Sequence, residues 1–501
     1  MVTRLTGRAG AEGVRGRSRG GVGRGMLKGV PESSSLHLYN TFAKKKEKFL
    51  PREKGRVSMY TCGPTVYGRP HIGNYSSFLM ADLLCRWLTV EGYEVRQVKN
   101  ITDVGHLVAD QDEGEDKIEA QAKKEKLDPL EIARKYTEQY LEDEKLLNML
   151  EPFARPRASE TIPEMIAIIS QLQEKGMAYE TDDGVYFSVS SFPGYGKLSG
   201  NTLANLGKLD TGVRIELKES KIHPADFALW KKRVGEHEGH ILHWDSPWGD
   251  GFPGWHIECS AMSSKFLGEQ IDIHTGGEDN IFPHHECEIA QSEGANEKQF
   301  VRYWVHKRRV NFADVKMSKS LGNVLLLPDI LEKGFSPLDL RYFLLSGHYR
   351  SHTQFTWKGL EDARKSRLKL LEWMEDVRER GSKAGKEGST GFEERFRDAM
   401  NDDLNTPEAI AVIFEAMTWS RNNHQALQRF TEMVRETFGC FEGGEVAVPE
   451  EIKKLASERE KARKAGEYER SDSLRREILQ KGFVLEDGKD GPKIVPKERR
   501  A

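Results

Sequence analysis

Cysteine, histidine and glutamate side chains that could bind a metal occur in three separated segments of this 501-residue sequence. Cys62 follows a strand-like run, Cys259 ends a Trp-His-Ile-Glu-Cys segment, and residues 284–288 read His-His-Glu-Cys-Glu. Thiolate, imidazole and carboxylate are ligands that tetrahedral zinc accepts. In a helix, His284 and Glu288 would share one face because they are four residues apart. The long gaps exclude a local zinc finger and predict a site assembled from distant segments, which more often serves chemistry than scaffolding.

The overall composition predicts a large multidomain protein that stays inside the cell. At about 150 residues per domain, the length corresponds to three or more units. The five cysteines are odd in number and too few for a disulfide framework, which favours a reducing compartment. No run approaches the roughly 20 apolar residues needed to cross a bilayer. The formal charge of -3 excludes a globally basic nucleic-acid binder, so any polyanion must bind at local patches.

The two ends of the chain are basic. Residues 1–30 contain seven Arg and Lys against one acidic residue, and residues 451–501 contain fifteen against eleven. Residues 1–33 are rich in Arg and Gly and poor in aromatics, which predicts a disordered tail. Two origins of the tail stay open: it is an organelle transit peptide, or translation starts at Met26. We expect a cytoplasmic protein, or an organellar one in the first case.

The hydrophobic pattern predicts an α/β domain followed by helical domains. Residues 57–62 and 94–101 are strand-like, and the helical periodicity between them completes a βαβ unit of a Rossmann-type parallel sheet. Residues 270–274 and 300–307 predict further strands of this sheet. Short strand-like pieces broken by Gly and Pro lie between the first two and the last two of these strands, as is typical of an inserted connective domain. After residue 324 apolar residues recur at helical spacing, which predicts all-α C-terminal domains.

Two further motifs contain groups suited to a nucleotide. Residues 71–74 read His-Ile-Gly-Asn where a strand turns into a helix, so that helix amides and an imidazole would face an anion. Residues 316–320 read Lys-Met-Ser-Lys-Ser, and mobile lysine charges suit a polyphosphate. Taken singly, the first motif could be an ordinary helix cap and the second an ordinary surface loop.

In this order the two motifs resemble those of the class I aminoacyl-tRNA synthetases. More specifically, the chain is similar to the cysteinyl-tRNA synthetase family from about residue 36 to about residue 490. The further segments that carry this resemblance are Met-Tyr-Thr-Cys-Gly-Pro-Thr-Val-Tyr at 59–67, Gly-Trp-His-Ile-Glu-Cys-Ser-Ala-Met at 254–262, Asp-Ile-His at 272–274, Phe-Pro-His-His-Glu at 282–286 and, in the helical half, Met-Asn-Asp-Asp-Leu-Asn-Thr-Pro at 400–407.

The resemblance implies a two-step reaction that needs no protein nucleophile. The carboxylate of L-cysteine attacks the α-phosphate of ATP, which gives cysteinyl-adenylate and pyrophosphate, and the cysteinyl group then moves to the terminal adenosine of tRNA(Cys). By resemblance, His71, Gly73 and Asn74 bind ATP, which is expected with Mg2+. Lys316 and Lys319 would bind and stabilise the departing pyrophosphate. Such chemistry depends chiefly on positioning and on charge neutralisation.

The resemblance also implies an adenosine pocket and contacts to the amino acid. Gly276, Gly277 and Asp279 would line the adenosine pocket, where Asp279 would accept hydrogen bonds from the ribose hydroxyls. The implied substrate-binding residues are Trp255, His274, which would lie beside the metal, and Thr102.

One zinc ion per chain is implied, with Cys62, Cys259, His284 and Glu288 as its ligands. Serine differs from cysteine by oxygen in place of sulfur, a change too small for the shape of a pocket to reject strongly. A borderline-soft metal binds thiolate far better than a neutral hydroxyl. A direct zinc–sulfur bond to the substrate would therefore make a second site that hydrolyses wrongly activated serine unnecessary.

Two features depart from the family pattern. Cys287 stands where the family usually has asparagine, and this thiol either acts at the metal, by competing for it or by making the site oxidisable, or simply packs. Residues 101–107 lack a contiguous Asp-Asp-Lys-Ile run, and Asp-Lys-Ile arrives only at 116–118, which predicts a longer acidic loop.

These observations divide the chain into seven regions. They are a disordered tail (1–33), the first half of the catalytic domain (34–155), a connective insertion (156–234), the second half with the zinc site and the 316–320 loop (235–324), a stem-contact helical domain (325–385), a helical bundle (392–447) and an anticodon-binding domain (448–501). We expect a monomer whose partners are tRNA(Cys), L-cysteine and ATP, without membrane contact.

Two other functions stay open. A cysteine ligase acting on an amino sugar, of the mycothiol type, would share the adenylation core and the zinc, but residues 392–490 look like a tRNA-binding extension that such an enzyme lacks. A non-catalytic, zinc-dependent RNA binder is the second alternative. The intact motifs at 71–74 and 316–320 oppose it.

Overall fold

The computed structural model describes the chain in several stretches. The described residues are 35–104, 107, 116–206, 221–312, 315–316, 324–381, 391–420, 424–442, 450–481, 483–488 and 491–496. The predicted disordered tail, most of the predicted acidic loop and the 316–320 loop beyond Lys316 lie outside these residues.

Strands and helices alternate in the first two thirds of the chain, and helices dominate the last third. The strands are β1 (His37–Asn40), β2 (Lys45–Lys48), β3 (Arg56–Thr61), β4 (Glu94–Lys99), β5 (Ala178–Glu180), β6 (Gly184–Phe187), β7 (Phe227–Lys232), β8 (Gly251–Pro253), β9 (Ile271–Gly277), β10 (Val301–Lys307), β11 (Val310–Phe312), β12 (Val315–Lys316), β13 (Thr353–Phe355), β14 (Phe483–Gly488) and β15 (Gly491–Pro496). The helices are α1 (Ile72–Val90), α2 (Lys117–Glu125), α3 (Pro129–Leu146), α4 (Ile162–Glu174), α5 (Leu203–Leu206), α6 (Trp255–Leu267), α7 (Glu286–Asn296), α8 (Leu327–Glu332), α9 (Pro337–Ser346), α10 (Trp357–Gly381), α11 (Phe392–Asn401), α12 (Thr406–Trp419), α13 (Gln428–Phe438), α14 (Glu450–Lys464) and α15 (Tyr468–Gln480).

A parallel sheet with the strand order β10-β9-β3-β4 forms the centre of the first half. Helix α1 joins β3 to β4, which confirms the predicted βαβ unit, and β9 and β10 confirm the other two predicted strands. The chain passes from β3 to β4 on one side and from β9 to β10 on the other. The order therefore reverses between the neighbours β3 and β9, and open parallel sheets bind their ligands at the carboxyl ends of strands at such a point.

Helix α1 is buried along most of its length, because apolar residues occupy nearly all of its circumference. Leu79 and Trp87 on this helix share one apolar core with Leu345 of α9 and Phe430 of α13. The helix that begins at the 71–74 segment therefore packs against both the parallel sheet and the helical domains. A displacement of the helical domains would be felt at this helix, because close-packed interiors transmit strain.

The region between the two halves of the parallel sheet contains a separate antiparallel sheet. Its strand order is β5-β6-β7-β8, and the last of these strands, β8, directly precedes α6 in the sequence. The sheet therefore extends to Pro253, whereas the predicted connective insertion ends at residue 234. The predicted domain bounds themselves remain predictions.

Helices α9 to α13 form the predicted C-terminal helical domains. A second, smaller unit follows, in which Ile452 of α14 and Ile478 of α15 pack with Leu485 of β14. The antiparallel hairpin β14–β15 differs from the all-α prediction for this region; only part of the hairpin contacts a core and its apolar pattern is short, so the sequence carries little signal for it. Among the described residues, the helices are too short or too polar to span a membrane.

Candidate active site and metal centre

The structure brings the side chains of Cys62, Cys259, His284 and Glu288 together in one buried cluster. One donor atom of each residue lies within 4.8 Å of the donor atoms of the other three. His284 Nε2 lies 3.1 Å from Glu288 Oε1, and Cys62 Sγ lies 3.9 Å from the same oxygen. The four residues that the resemblance implied as ligands are therefore close enough to hold one ion.

Four different positions in the fold carry these donors. Cys62 directly follows β3, at the carboxyl end of the parallel sheet, and Cys259 lies in the second turn of α6. His284 closely precedes α7, and Glu288 lies in the first turn of that helix. The contact between His284 and Glu288 has the i, i+4 spacing that the sequence predicted. Helix packing at the end of the sheet thus assembles a site that no single segment contains.

Asn100 ties the two strand ends beside the cluster to each other. The Gly63 N–H donates to Asn100 Oδ1 (2.8 Å), and Asn100 Nδ2 donates to Thr102 Oγ1 (3.0 Å). A Cβ on Gly63 would lie 1.7 Å from the backbone oxygen of Asn100, so this close approach requires glycine. Thr102, an implied substrate-binding residue, is thus buried and directed at groups of the protein. Burial raises the pKa of the Glu258 carboxyl of α6 well above its usual value.

Two further histidines contact the same donors. His274 Nε2 lies 2.9 Å from Glu288 Oε2, and His285 Nε2 lies 3.3 Å from Cys62 Sγ. Cys62, His274, His285 and Glu288 form a second group of donor atoms within 4.8 Å of one another. The resemblance implies His274 beside the metal and implies no role for His285. The available signal was the position of His285 within the His-His-Glu-Cys-Glu run.

A line of hydrogen bonds leads from His285 away from the cluster. Its Nδ1 lies 2.8 Å from His306 Nε2, and His306 Nδ1 lies 2.7 Å from Thr41 Oγ1. Burial lowers the pKa of His285 well below its usual value and that of His306 to about 3. Both rings are therefore neutral near pH 7. His306 fixes the orientation of His285, as partners of metal-site histidines commonly do.

Both thiols of the cluster are buried. Burial and the neighbouring Cys259 thiol raise the pKa of Cys62 well above its usual value. The neighbouring Cys62 thiol lowers the pKa of Cys259, but burial and the charge of Glu288 outweigh it and the net shift is upward. A bound cation reverses this preference, because a coordinating thiol is deprotonated.

Trp255 lies at the start of α6 and covers one of the donors. Its ring stacks on the His284 ring, with centroids 4.2 Å apart and an angle of 24° between the planes. His284 Nδ1 lies 3.0 Å from His256 Nδ1, which leaves Nε2 directed at Glu288. Trp255 is thus placed to shape the space above the cluster, and its role as a substrate contact stays a prediction.

Cys287 belongs to neither group of donor atoms among the described residues. Its Sγ lies 3.6 Å from the hydroxyl of Tyr195, which belongs to the inserted region. The side chain is buried in the apolar core beneath the metal cluster. Packing against the inserted region, one of the two roles left open for this thiol, is therefore the role that the geometry favours.

The 71–74 segment forms a reciprocal cap at the start of α1. The Asn74 N–H donates to His71 Nδ1 (3.3 Å), and the His71 N–H donates to Asn74 Oδ1 (3.0 Å). Because Nδ1 accepts a hydrogen bond, the neutral ring carries its hydrogen on Nε2. Gly73 keeps the first turn open, since a Cβ there would lie 2.9 Å from the His71 ring. The motif therefore orients a ring N–H donor at a helix N-terminus, where anions are favoured.

Gly276 and Gly277, the last two residues of β9, lie directly against the histidines and α1, and together with the turn at 278–280 they form the glycine loop. A Cβ on Gly276 would lie 2.7 Å from the His285 ring, and one on Gly277 would lie 3.3 Å from Ser77 Oγ of α1. Asp279 follows in the next turn and is about half exposed, with its carboxylate 3.6 Å from a guanidinium nitrogen of Arg309. The implied adenosine loop and the 71–74 segment therefore flank the same strand ends.

Glu278, which the sequence analysis missed, anchors this glycine loop. Its carboxylate accepts hydrogen bonds from Arg308 (2.7 Å) and from Arg309 Nε (2.5 Å), and His352 Nε2 lies 3.3 Å away. Burial opposes ionisation of Glu278, but the hydrogen bonds from the two arginines outweigh it and lower its pKa to about 2. An acidic residue in a Gly-rich turn is common, and nothing in the neighbouring sequence predicts that Glu278 contacts these distant residues.

The 316–320 loop starts at the end of β12. Lys316 is the last residue of that short strand, and its backbone pairs with Asn311 of β11. Lys319 lies outside the described residues. The structure therefore places the start of the loop and leaves the assigned roles of the two lysines as predictions.

The fold and these loops define the class of the protein. Residues 48–365 match the family model described as "tRNA synthetases class I (C) catalytic domain", and residues 395–441 match the "DALR domain". A parallel sheet with a helix-capping His-Ile-Gly-Asn segment and a glycine loop at its point of reversal agrees with that class. The chain has the architecture of a class I aminoacyl-tRNA synthetase.

Two curated relatives narrow this assignment. "Cysteine--tRNA ligase" from Chlorobium luteolum is 44% identical over 482 residues, which cover 91% of this chain and 98% of the relative. The protein of the same name from Thermus thermophilus is 45% identical over 488 residues, with the same coverage of both chains. The chain belongs to the cysteine--tRNA ligase family, which confirms the resemblance stated from its motifs.

Solved structures of a more distant synthetase share the fold. Mycobacterium tuberculosis methionyl-tRNA synthetase bound to methionyl-adenylate is 13% identical, with a TM-score of 0.52 over 76% of this chain and 89% of that one. A second structure of that complex is 14% identical, with a TM-score of 0.53 over 77% and 89%. At such low identity the likeness concerns the fold alone, and it confirms the Rossmann-type domain with helical domains after it.

Proposed function

We propose that this chain attaches L-cysteine to tRNA(Cys) in two steps, and that a zinc ion in the buried cluster selects the substrate by its thiolate. The observation that carries the proposal is the buried group formed by Cys62, Cys259, His284 and Glu288, whose neighbour His285 lies against Gly276 of the glycine loop. In the first step cysteine and ATP give cysteinyl-adenylate and pyrophosphate. In the second step the cysteinyl group passes to the 3′-terminal adenosine of the tRNA.

The donor set of the cluster fits zinc. Two thiols, one imidazole and one carboxylate are typical zinc ligands, and hard cations such as Mg2+ prefer oxygen donors. The mutual distances of at most 4.8 Å allow all four atoms to contact one ion. When bound, the ion would accept a soft group as an additional, fifth ligand, a role that a cysteine thiolate fills and a serine hydroxyl fills poorly. Cys62, Cys259, His284 and Glu288 would hold this ion.

His274 and Trp255 support the proposed cluster through different ligands. His274 engages Glu288 Oε2 and thereby leaves Oε1 directed at the other donors. Trp255 stacks on His284 and would contact the amino acid above it. Thr102 contributes through the strand end that carries Gly63, and a direct contact to the substrate remains a prediction.

The nucleotide would bind across the point where the strand order reverses. His71 and Asn74 at the start of α1, with Gly73 between them, would hold the phosphates, and Lys316 and Lys319 would neutralise the pyrophosphate as it leaves. Gly276 and Gly277 would let the adenosine approach the backbone closely, and Asp279 would accept from the ribose. Mg2+ would accompany ATP.

The helical half would hold the tRNA. Lysines and arginines on α14 and α15 are suited to phosphate contacts, which position a nucleic acid without reading its sequence. We further propose a cytoplasmic monomer in which residues 325–385 contact the acceptor stem and residues 448–501 the anticodon. The residues that read the anticodon bases are not assigned.

An amino-sugar ligase is a less favourable alternative. The match to a DALR domain at 395–441 and the relatives that cover 91% of the chain favour charging of tRNA. A non-catalytic RNA binder would have no need for intact nucleotide motifs at both 71–74 and 316–320. No specific observation favours either alternative.

One experiment tests the proposed function as a whole. The purified chain is analysed for zinc, and ATP–pyrophosphate exchange is followed with cysteine and, in parallel, with serine. We expect about one zinc per chain, as structural and catalytic zinc sites of this donor type hold, and exchange that depends on cysteine. Equal exchange with serine would contradict selection by the metal. Absence of cysteine-dependent exchange would contradict the activity itself.

The replacement Cys287→Asn tests the assignment of the ligands. We expect full zinc content and unchanged exchange, because this side chain packs against Tyr195 and lies in neither donor group. Glu288→Gln, a polar change one residue further along α7, is the matched variant and should lose the metal. Loss of zinc from the Cys287 variant would show that the ligand set is wrong.

A further inference from the structure

We propose that Asp403, in the Met-Asn-Asp-Asp-Leu-Asn-Thr-Pro segment of the helical half, is a positioning residue for the ATP site. It would act by holding the polypeptide that supports β12, which ends at Lys316, and the glycine loop. This inference rests on the proposed function and extends it to a residue outside the catalytic domain. It links a sequence signature of the helical half to the chemistry of the other half.

Asp403 is fully buried and gathers donors from two other parts of the chain. Its Oδ1 accepts hydrogen bonds from the backbone N–H of Tyr39 (2.7 Å) and from the hydroxyl of Tyr349. Its Oδ2 accepts from Arg350 Nε (2.6 Å), and the Arg350 guanidinium lies over the Tyr39 ring. The carboxylate therefore joins β1, the bundle and residues 349–350 at one point.

The segment held by Asp403 is in turn bonded to the end of the parallel sheet. The backbone carbonyl of Tyr349 accepts a hydrogen bond from the backbone N–H of Arg308 (2.9 Å), which directly follows β10. The backbone N–H of Thr353 donates to the backbone carbonyl of Arg309 (3.1 Å). The buried Lys307 ammonium also reaches Thr353 Oγ1 (3.3 Å). Residues 349–353 are thus fixed along the strand end that leads into the active site.

From this segment the support continues to both walls of the proposed ATP site. Strand β13 pairs with β11, and β11 pairs with β12, which ends at Lys316 where the 316–320 loop begins. On the other wall, His352 and Arg309 contact Glu278 of the glycine loop. One carboxylate on the bundle therefore underlies the start of the 316–320 loop and the turn that contains Asp279.

The adjacent residue in the same signature provides a natural comparison. Asp402 is mostly exposed, and its carboxylate lies 2.5 Å from the ammonium of Lys46 at the surface. This carboxylate pairs with β2 and not with residues 349–353, so its loss should leave the ATP site in place. Exposed ion pairs contribute little to stability. The same chemical change at two neighbouring positions thus separates the proposed support from a general effect on the bundle.

The experiment compares Asp403→Asn with Asp402→Asn in the full chain. Asparagine keeps the size of the side chain but turns an acceptor into an NH2 group that faces either the Tyr349 hydroxyl or the Arg350 guanidinium. Misplacement of a reacting group by 1 Å can lower a reaction rate by about 100-fold. Because the walls of the ATP site would shift, we expect the KM for ATP in cysteine-dependent exchange to rise at least about tenfold. The KM for cysteine should stay unchanged in both variants, and zinc content should stay full, because the metal cluster lies on other elements.

The outcomes distinguish this inference from the proposed function. A wild-type chain without cysteine-dependent exchange would overturn the proposed function. An active wild-type chain with the same KM for ATP in both variants would overturn the positioning role alone, even if Asp403→Asn unfolds at a lower temperature. If Asp403→Asn does not fold, Tyr349→Phe removes one donor to the carboxylate and should raise the KM for ATP by a smaller factor. An unchanged KM in that variant would also overturn the inference.

Discussion

Replacement of Cys259 by serine is expected to remove the metal ion and, with it, cysteine-dependent pyrophosphate exchange. The change nearly keeps the size of the side chain but exchanges a soft thiolate for a hydroxyl that zinc binds weakly. Residues that merely orient a ligand contribute about 10- to 100-fold to metal affinity. Loss of a direct ligand should therefore lower the metal affinity by more than about 100-fold. Zinc content after dialysis against a weak chelator and the exchange rate are measured on the same sample.

Cys440→Ser is the matched control for this prediction. Cys440 is an equally buried free thiol that follows α13, and it belongs to neither donor group. This variant should keep its zinc and its exchange activity. A full equivalent of metal in the Cys259 variant would contradict the assignment. It would favour the second group instead, in which His274 and His285 take the places of Cys259 and His284.

Replacement of His71 by alanine is expected to lower kcat/KM for ATP by about 100- to 1,000-fold, the usual effect of losing one preorganised donor to a developing charge. The hydrogen bond from Asn74 to Nδ1 leaves the hydrogen on Nε2, where it can be donated to a phosphate oxygen. The same change also removes a helix cap, which typically costs about 1 kcal/mol of stability. Exchange kinetics and thermal unfolding are measured together to separate the two effects.

His71→Asn is the control that separates catalysis from capping. Asparagine is among the best N-cap residues, so this variant should unfold near the wild-type temperature. Its side chain is shorter and cannot place a donor where Nε2 lies, so exchange should remain low. Full exchange in this variant would assign His71 to capping alone.

The order of elements in the catalytic half could be predicted because its signals are local. The strands β3, β4, β9 and β10 are short runs that contain β-branched or aromatic residues, and the helical period of α1 directly follows its cap at His71. The strand β8 and the hairpin β14–β15 escaped prediction. Short strands that depend on pairing with distant segments leave little local pattern.

The chemistry of the metal cluster was only partly predictable. Cys62, Cys259 and the 284–288 run indicated a site by their residue types, and the family pattern selected four donors. The roles of His285 and Cys287, which are neighbours of the chosen ligands in the sequence, could not be separated by type or spacing. Their side chains point to different surroundings because successive residues of a helical turn face different directions.

The sequence by itself determined the class of fold, the presence of a thiol, imidazole and carboxylate site, and the two motifs suited to a nucleotide, because these depend on residue types and on local periodicity. The tertiary structure alone decided which donors meet, that His306 orients His285, that Glu278 anchors the glycine loop, and that Asp403 reaches residues 349–350. These contacts join residues far apart in the chain. They depend on the order of strands and on the packing of α1 between two halves of the protein, which no local pattern encodes.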